Sequence, residues 1–155
     1  MSTADPLLQP FQLKHLRLKN RIISTSHEPA YSEDGLPKER YRLYHEEKAK
    51  GGIAMTMFGG STLVAPDSPP VFGNLYAGND KIIPHFQEMA DGVHKHGAAL
   101  MCQITHLGRR SVSNAGDWLP IIAPSCVREE VHRGFPKIME DSDIRRIVKA
   151  YGAAA

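Results

Sequence analysis

Cysteine and long apolar runs are both scarce in this chain of 155 residues. The two cysteines, Cys102 and Cys126, are too few for a disulfide framework and form no metal-binding motif. No apolar run approaches the roughly 20 residues that cross a bilayer, and the segment from Met1 to Pro6 lacks the basic and apolar regions of a signal peptide. These absences predict a protein of the reducing cytoplasm that has no membrane partner.

An excess of charge of either sign is also missing. Lysine and arginine number 19 against 17 acidic residues, which gives a net charge of +2. The basic residues are scattered and form no stripe, so the sequence argues against a nucleic-acid partner. Apolar residues make up 41% of the chain and charged residues 23%, as in an ordinary globular protein, and the length suits one domain.

Strands and helices alternate along the chain. The predicted elements are a hairpin from Phe11 to Ile23, strands near 21–25, 53–58 and 98–104, and helices over 38–50, 81–96 and 142–155, with long loops over 61–78 and 111–137. This order implies an α/β fold with parallel strands and right-handed crossovers. No Gly-x-Gly-x-x-Gly motif follows a strand, and the pattern alone leaves a doubly wound sheet and a (β/α)₈ barrel open. A barrel needs about 250 residues, so this chain would be its first three βα units, truncated after the third.

Polar side chains gather where the third predicted strand ends. Residues 98–101 are apolar and predict a buried strand, and Gln103, His106 and Arg109 follow it, with Gly108 bending the chain. Strands that deliver such groups at their carboxyl ends are typical of α/β active sites. Taken singly, each of these residues is more often a loop residue that meets water.

Two consecutive glycines, Gly59 and Gly60, follow the second predicted strand. Without side chains they allow a flat ligand to approach the backbone. A plain turn explains them equally well. Asp141 or Ser142 is expected to cap the last helix.

The eight histidines raise the alternative of a metal-dependent (β/α) hydrolase. Four candidates are His27, His94, His96 and His106. His94 and His96 fall about 200° apart on a helix, and neither lies at the end of a strand. The spacing therefore argues against a metal site, and none is assigned.

Four motifs in this order resemble the NADH:flavin oxidoreductase, or old yellow enzyme, family. They are Leu16-x-Leu-Lys-Asn-Arg-Ile-Ile23, Tyr44-x₄-Ala49-Lys-Gly-Gly52, Gln103-Ile-Thr-His-Leu-Gly-Arg109 and Ala123-Pro-Ser125. The branch that they resemble most contains 2,4-dienoyl-CoA reductase, trimethylamine dehydrogenase and N-methylproline demethylase-like enzymes. The motifs span nearly the whole chain, so their combination is specific although each alone is weak.

The resemblance implies that residues 1–155 are the N-terminal portion of a TIM-barrel domain with FMN across the carboxyl ends of its strands. The residues it assigns to the cofactor are Ser24, Thr25, Ser26, His27, Gly59, Gly60 and Gln103. The Gln103 carboxamide offers a donor and an acceptor together, as the flavin N3–H and its neighbouring carbonyl require. His106 and Arg109 are assigned to the substrate. In this family a His/Asn or His/His pair on a fourth strand binds the substrate carbonyl. That strand is not among the predicted elements, so no catalytic residue is assigned here.

The implied activity is hydride transfer between NAD(P)H, or an N-methyl or enoyl small-molecule substrate, and flavin. A homo-oligomeric parent is expected, and a [4Fe–4S] cluster and FAD are expected only in a longer parent chain. Some members bind flavin through a cysteine, and Glu28 stands near that place here, so a cysteinyl flavin is not expected. The alternative is an inert fragment or a non-catalytic module that lacks the substrate-binding half of the site.

Overall fold

The computed structural model describes residues 5–112 and 119–155. Its strands and helices, in chain order, are β1 (Phe11–Leu13), β2 (Leu16–Leu18), β3 (Ile23–Ser24), α1 (Glu39–Lys50), β4 (Met55–Leu63), α2 (Ile83–His94), β5 (Ala99–Thr105), β6 (Ile122–Ala123), β7 (Lys137–Ile138) and α3 (Asp141–Ala154). Short 3₁₀ turns cover Pro6–Leu8, Asp80–Ile82 and Gly108–Arg110. Across the described residues, no helix is both long and apolar enough to cross a membrane.

A three-stranded parallel sheet in the order β3-β4-β5 forms the centre of the fold. Ile23 pairs with Met55, and Met55 pairs with Ala99 on its other side. The prediction of three parallel strands is therefore confirmed. The described residues form no closed barrel.

The N-terminal hairpin is confirmed, but it is shorter than predicted. Only β1 and β2 pair antiparallel, with Phe11 opposite Leu18. Lys14 has a positive φ of 50° in the turn between them. Leu18 is buried and packs with Ala54 and Met55 at the start of β4, which holds the hairpin against the amino end of the sheet.

Helices α1 and α2 pack against each other and against the sheet. The largest core cluster joins Tyr41 of α1, Phe58 of β4 and Met89 of α2. A smaller cluster of Ala49, Val93 and Ala98 lies where both helices end. These two clusters bury one face of each helix against the sheet. The candidate site lies at the edge of this sheet.

The prediction that β4 ends at Phe58 is wrong. The strand continues to Leu63, and its pairing with β5 shifts register between Phe58 and Thr62. Gly59 and Gly60 lie at this shift with φ of 92° and 37°, so they form a bulge inside the strand instead of a terminating turn. The first three residues of the predicted loop over 61–78 therefore belong to β4.

The predicted loop over 111–137 contains a short parallel pair that the sequence analysis missed. Ile122 of β6 pairs with Lys137 of β7, and Ala123 pairs with Ile138. Two-residue strands give too little alternation to be detected from sequence. The part of that prediction over 113–118 lies outside the described residues.

Two further expectations are corrected by local geometry. Glu140, and neither Asp141 nor Ser142, caps α3, because its side chain accepts from the backbone of Asp143 while the Asp143 carboxylate accepts from the Glu140 N–H at 3.0 Å. This reciprocal pair is a capping box. Strand β5 was expected to be buried, yet Met101 is 48% exposed. Leu100 and Cys102 pack against the core cluster, and Met101 points to the opposite face of the sheet because successive side chains of a strand alternate.

Candidate cofactor site

The carboxyl ends of β3, β4 and β5 meet at one edge of the sheet. A β-carbon placed on Gly60 would lie 2.5 Å from the backbone nitrogen of Glu28, directly after the segment Ser24–His27. A β-carbon on Gly59 would lie 3.0 Å from the carbonyl oxygen of Gln103. The structure therefore brings the residues assigned to the cofactor, which lie in or directly after three separate strands, into one contiguous edge.

The two glycines are required by the protein's own packing. At Gly60 the obstructing atoms are backbone atoms of His27 and Glu28 and the Glu28 β-carbon, and backbone moves less readily than a flexible side chain. Both glycines also have a positive φ, which residues with side chains adopt only at a cost. The bulge thus leaves a stretch of β4 without side chains at the edge of the sheet.

The serines of this edge are held by protein groups. Lys48 Nζ of α1 donates to Ser24 Oγ at 3.0 Å, and Ser26 Oγ lies 3.5 Å from the carbonyl oxygen of Phe58. Thr25, His27 and Gln103 are instead exposed. A carboxamide beside a side-chain-free backbone can bind the edge of a planar heterocycle, because it donates and accepts together. The bulge at Gly59 and Gly60 lies beside the backbone of Gln103, whose carboxamide is exposed.

A buried aromatic layer supports the bulge from the helix side. The Gly59 N–H donates to the hydroxyl oxygen of Tyr41 at 3.1 Å, and Tyr41 is fully buried. His45 stacks on Tyr41 with 5.4 Å between ring centroids, and its Nδ1 lies 2.8 Å from Thr56 Oγ1. Burial lowers the pKa of His45 to about 3, so its ring is neutral near pH 7. The sequence signal was its helical spacing from Tyr41 and Ala49, which share its buried stripe.

Glu28 is a carboxyl group at the same edge. One oxygen, Oε1, accepts from the Ala30 N–H at 3.1 Å, whereas Oε2 is buried and has no hydrogen-bond partner among the described residues. Burial raises the pKa of Glu28 to about 7, against a smaller lowering by the Ala30 bond. This group changes its charge near neutral pH. Sequence reasoning noted Glu28 only as a departure from the cysteine of some relatives.

The turn that follows β5 is fixed by contacts from the loop after β4. His106 Nε2 lies 3.3 Å from Asp67 Oδ1, and the Gly108 N–H donates to His106 Nδ1 at 3.1 Å. The Leu107 N–H donates to Ser68 Oγ at 2.8 Å. The His106 side chain is only 7% exposed, so both ring nitrogens face groups of this chain. His106 also lines a surface cavity, and the substrate contact expected of it stays a prediction.

Arg109 and Arg110 have different surroundings. Arg110 Nε lies 3.6 Å from Glu129 Oε1, whereas Arg109 is exposed and lines a surface cavity of about 480 Å³ with His106 and Tyr151. Arg109 therefore lies in the turn after β5, as the motif predicted, and lines this cavity. None of the residues assigned to the cofactor is among the residues that line it, so the expectation that Arg109 shares a mouth with Gln103 stays a prediction.

Asp67 is a buried hub that sequence reasoning missed. Arg146 of α3 donates to both of its oxygens, at 2.9 Å to Oδ1 and 2.8 Å to Oδ2. Burial alone would raise the pKa of Asp67, but hydrogen bonds from His106 and Arg146 outweigh it and hold the pKa well below its usual range. Asp67 follows an apolar strand in a proline-rich loop, where an acidic residue gives no periodic signal, and Arg146 is distant in the sequence.

Across residues 5–112 and 119–155, no group of three or more histidine, cysteine, aspartate or glutamate side chains could hold a metal ion. Cys102 is half-buried with its thiol 3.5 Å from Thr62 Oγ1, and Cys126 is exposed. The described residues therefore offer polar groups for an organic ligand and no candidate metal centre.

Comparison with known proteins identifies the family. The chain is 62% identical over 151 residues to a probable N-methylproline demethylase of Rhizobium meliloti (strain 1021), covering 97% of this chain and 22% of that protein. It is 54% identical over 154 residues to a multifunctional alkene reductase/demethylase of Caballeronia cordobensis, covering 99% of this chain and 23% of that protein. The chain thus spans less than a quarter of the length of these relatives.

Solved structures share the fold. Morphinone reductase in complex with tetrahydroNAD superposes with a TM-score of 0.87 at 22% identity, over 96% of this chain and 44% of that one. Old Yellow Enzyme from Pichia sp. AKU4542 superposes with a TM-score of 0.88 at 20% identity, over 97% of this chain and 42% of that one. The model of the NADH:flavin oxidoreductase / NADH oxidase family matches residues 6–155. The chain belongs to this family, as its four motifs indicated.

Proposed function

We propose that this chain is the N-terminal part of an FMN-dependent oxidoreductase, and that its sheet supplies the first three strands of a (β/α)₈ barrel. Family membership over residues 6–155 supports the activity class. The parallel order β3-β4-β5 supports the barrel, because parallel strands joined by helices are its repeating unit. The remaining strands would belong to the length that the relatives have beyond this match, since this chain covers 22% of one of them.

The observation that carries the proposal is the contiguous edge at which three strand ends meet. Ser24–His27 and the bulge at Gly59–Gly60 would lie against the ring of FMN, and Gln103 would pair with its pyrimidine edge. Bound FMN would supply the two-electron chemistry, accepting or giving a hydride. The exposed carboxamide of Gln103 and the side-chain-free bulge fit that group. Ser24 and Ser26 would contribute backbone groups, since their hydroxyls contact Lys48 and Phe58.

The proposed substrates are N-methylated amines that carry a carboxylate, with activated alkenes as a second class and NAD(P)H as the reductant for the latter. The names of two relatives, a probable N-methylproline demethylase and an alkene reductase/demethylase, support both classes. Of the described residues that line the cavity with His106 and Tyr151, Arg109 is the arginine. A planar guanidinium suits bidentate binding of a carboxylate, so Arg109 would orient the acidic end of such a substrate.

Segments beyond this match would supply the substrate-gripping residues, and any [4Fe–4S] cluster, FAD or subunit interface would also belong to that longer protein. An inert fragment is the competing proposal for the 155-residue chain alone, because its described residues leave the sheet open. The two proposals concern different lengths of chain.

The test is to purify the longer protein that carries this segment and to follow its flavin spectrum anaerobically. The proposal predicts bound FMN whose oxidised absorbance bleaches on addition of N-methylproline or of NADPH. A protein that retains FMN but is bleached by neither compound would contradict the proposed reaction, and one that binds no FMN would contradict the whole proposal.

A further inference from the structure

A buried carboxylate joins three elements beside the proposed site. The Asp67 side chain is 6% exposed and lies in the loop after β4. It contacts His106 in the turn after β5 and accepts two hydrogen bonds from Arg146 of α3. Neither the proposed cofactor contacts nor the proposed substrate contact uses this carboxylate. A buried charge is costly unless it is paired, and Asp67 has His106 and Arg146 as its partners.

We propose that Asp67 is a positioning residue that fixes the direction of Arg109 through the turn His106–Gly108, with Arg146 as its counter-ion. The inference rests on the proposed function, because it assigns to Arg109 the carboxylate of the substrate. It concerns the geometry of substrate binding and adds no step to the reaction.

The hydrogen bonds assign one protonation state to His106. Its Nδ1 accepts from the Gly108 N–H at 3.1 Å, so this nitrogen carries no proton. The remaining nitrogen, Nε2, then carries the proton and donates to Asp67 Oδ1 at 3.3 Å. A neutral imidazole held in one tautomer by a carboxylate has a fixed ring orientation. Asp67 thereby determines where the ring of His106 lies.

The ring in turn fixes the backbone that leads to Arg109. The Gly108 N–H is bound to the His106 ring, and the Leu107 N–H is bound to Ser68, the residue after Asp67. Gly108 has a φ of 57°, a conformation that glycine adopts without strain. The next residue is Arg109. Consecutive contacts to Asp67 and Ser68 thus hold three residues immediately before the proposed substrate contact.

The charges around the hub leave Arg109 as the cation that faces the cavity. Arg146 compensates Asp67 through its two hydrogen bonds and lies 3.4 Å from Asp143 as well. Arg110 is 3.6 Å from Glu129. Among the described residues Arg109 has no ion pair, so its guanidinium can meet an external carboxylate. A cation aimed by a buried network orients a ligand better than one on a freely moving loop.

Asp67→Asn in the flavin-loaded longer protein tests this inference, with Glu46→Gln as the matched control. In each variant the isosteric amide replaces a largely buried carboxylate that is paired with an arginine. Asp67 pairs with Arg146, and Glu46 pairs with Arg42 within α1. The probes are N-methylproline and its neutral carboxamide analogue. Their dissociation constants are measured anaerobically from the concentration dependence of the rate of flavin bleaching, beside flavin content and melting temperature.

Positioning predicts that Asp67→Asn weakens N-methylproline binding about tenfold or more, while binding of the carboxamide analogue stays unchanged. Loss of the negative charge alone would instead tighten N-methylproline binding, because removing an anion near the cavity strengthens binding of another anion. Glu46→Gln should lower the melting temperature and leave both dissociation constants unchanged.

Unchanged or tighter N-methylproline binding by Asp67→Asn would overturn the inference, as would an equal loss for both probes. If Asp67→Asn retains no flavin, the same two probes are compared on Ser68→Ala, which removes only the contact to Leu107. Equal binding of N-methylproline by Ser68→Ala and by the wild-type protein would also overturn the inference. A wild-type protein that holds FMN but does not bind N-methylproline would instead overturn the proposed substrate class, and this inference with it.

Discussion

Replacing Gly60 by alanine should separate the segment after β3 from β4 and release the proposed cofactor. The new β-carbon would lie 2.5 Å from the backbone nitrogen of Glu28 and 2.8 Å from the carbonyl carbon of His27. The left-handed φ of 37° costs about 1–2 kcal/mol for a residue with a side chain, and overpacking of a rigid contact adds about 1–3 kcal/mol. The expected loss of stability is therefore about 2–5 kcal/mol.

Gly97 provides the matched control. It has a φ of 63°, and a β-carbon there would meet nothing within 4 Å. Gly97→Ala should therefore lose only the conformational part, about 1–2 kcal/mol, and keep its flavin. Thermal melts and FMN retention of both variants in the longer protein measure the difference. Equal melting temperatures and equal FMN content in the two variants would refute the claim that backbone packing at Gly60 builds this edge.

Four other outcomes are expected. Gln103→Ala should weaken FMN binding by about 1–3 kcal/mol, because it removes a donor and an acceptor together, and unchanged affinity in a flavin titration would contradict its role. Glu28→Gln should raise the melting temperature above pH 7 and leave it unchanged near pH 4. The folded pKa of Glu28, about 7, exceeds the unfolded value of 4.5, so the native state loses stability as pH rises between them; parallel pH profiles would contradict this. Arg109→Lys should raise the KM for N-methylproline, since lysine lacks the planar fork, and intact kinetic constants would remove Arg109 from the site. The isolated 155-residue chain should be unstable or oligomeric by size exclusion and melting, because exposed strand edges and apolar surfaces associate; a monodisperse, cooperatively melting, yellow monomer would show otherwise.

The sequence predicted the elements with strong periodicity. Helix α2 and strand β5 have apolar patterns long enough to identify from local residues alone, and the parallel order followed from their alternation. The end of β4 was missed because consecutive glycines usually stop a strand. Here Thr62 pairs again with Ile104 beyond them, a non-local event that local residues do not encode.

The site was predictable only where a motif carried it. Gln103 and Arg109 belong to one continuous motif, so their positions in β5 and in the turn directly after it could be inferred. Asp67 and Arg146 are 79 residues apart and meet through tertiary packing, which leaves no sequence signal. The burial of His106 was missed for the same reason, because its partner lies in another loop.

A crystal structure of the longer protein with FMN would show whether this edge of the sheet holds the cofactor. We expect the flavin ring to lie across the carboxyl ends of β3, β4 and β5, with the Gln103 carboxamide hydrogen-bonded to the pyrimidine edge and the ring close to the bulge at Gly59–Gly60. A flavin bound elsewhere, or one whose pyrimidine edge is held by residues outside this chain while Gln103 faces water, would contradict this expectation.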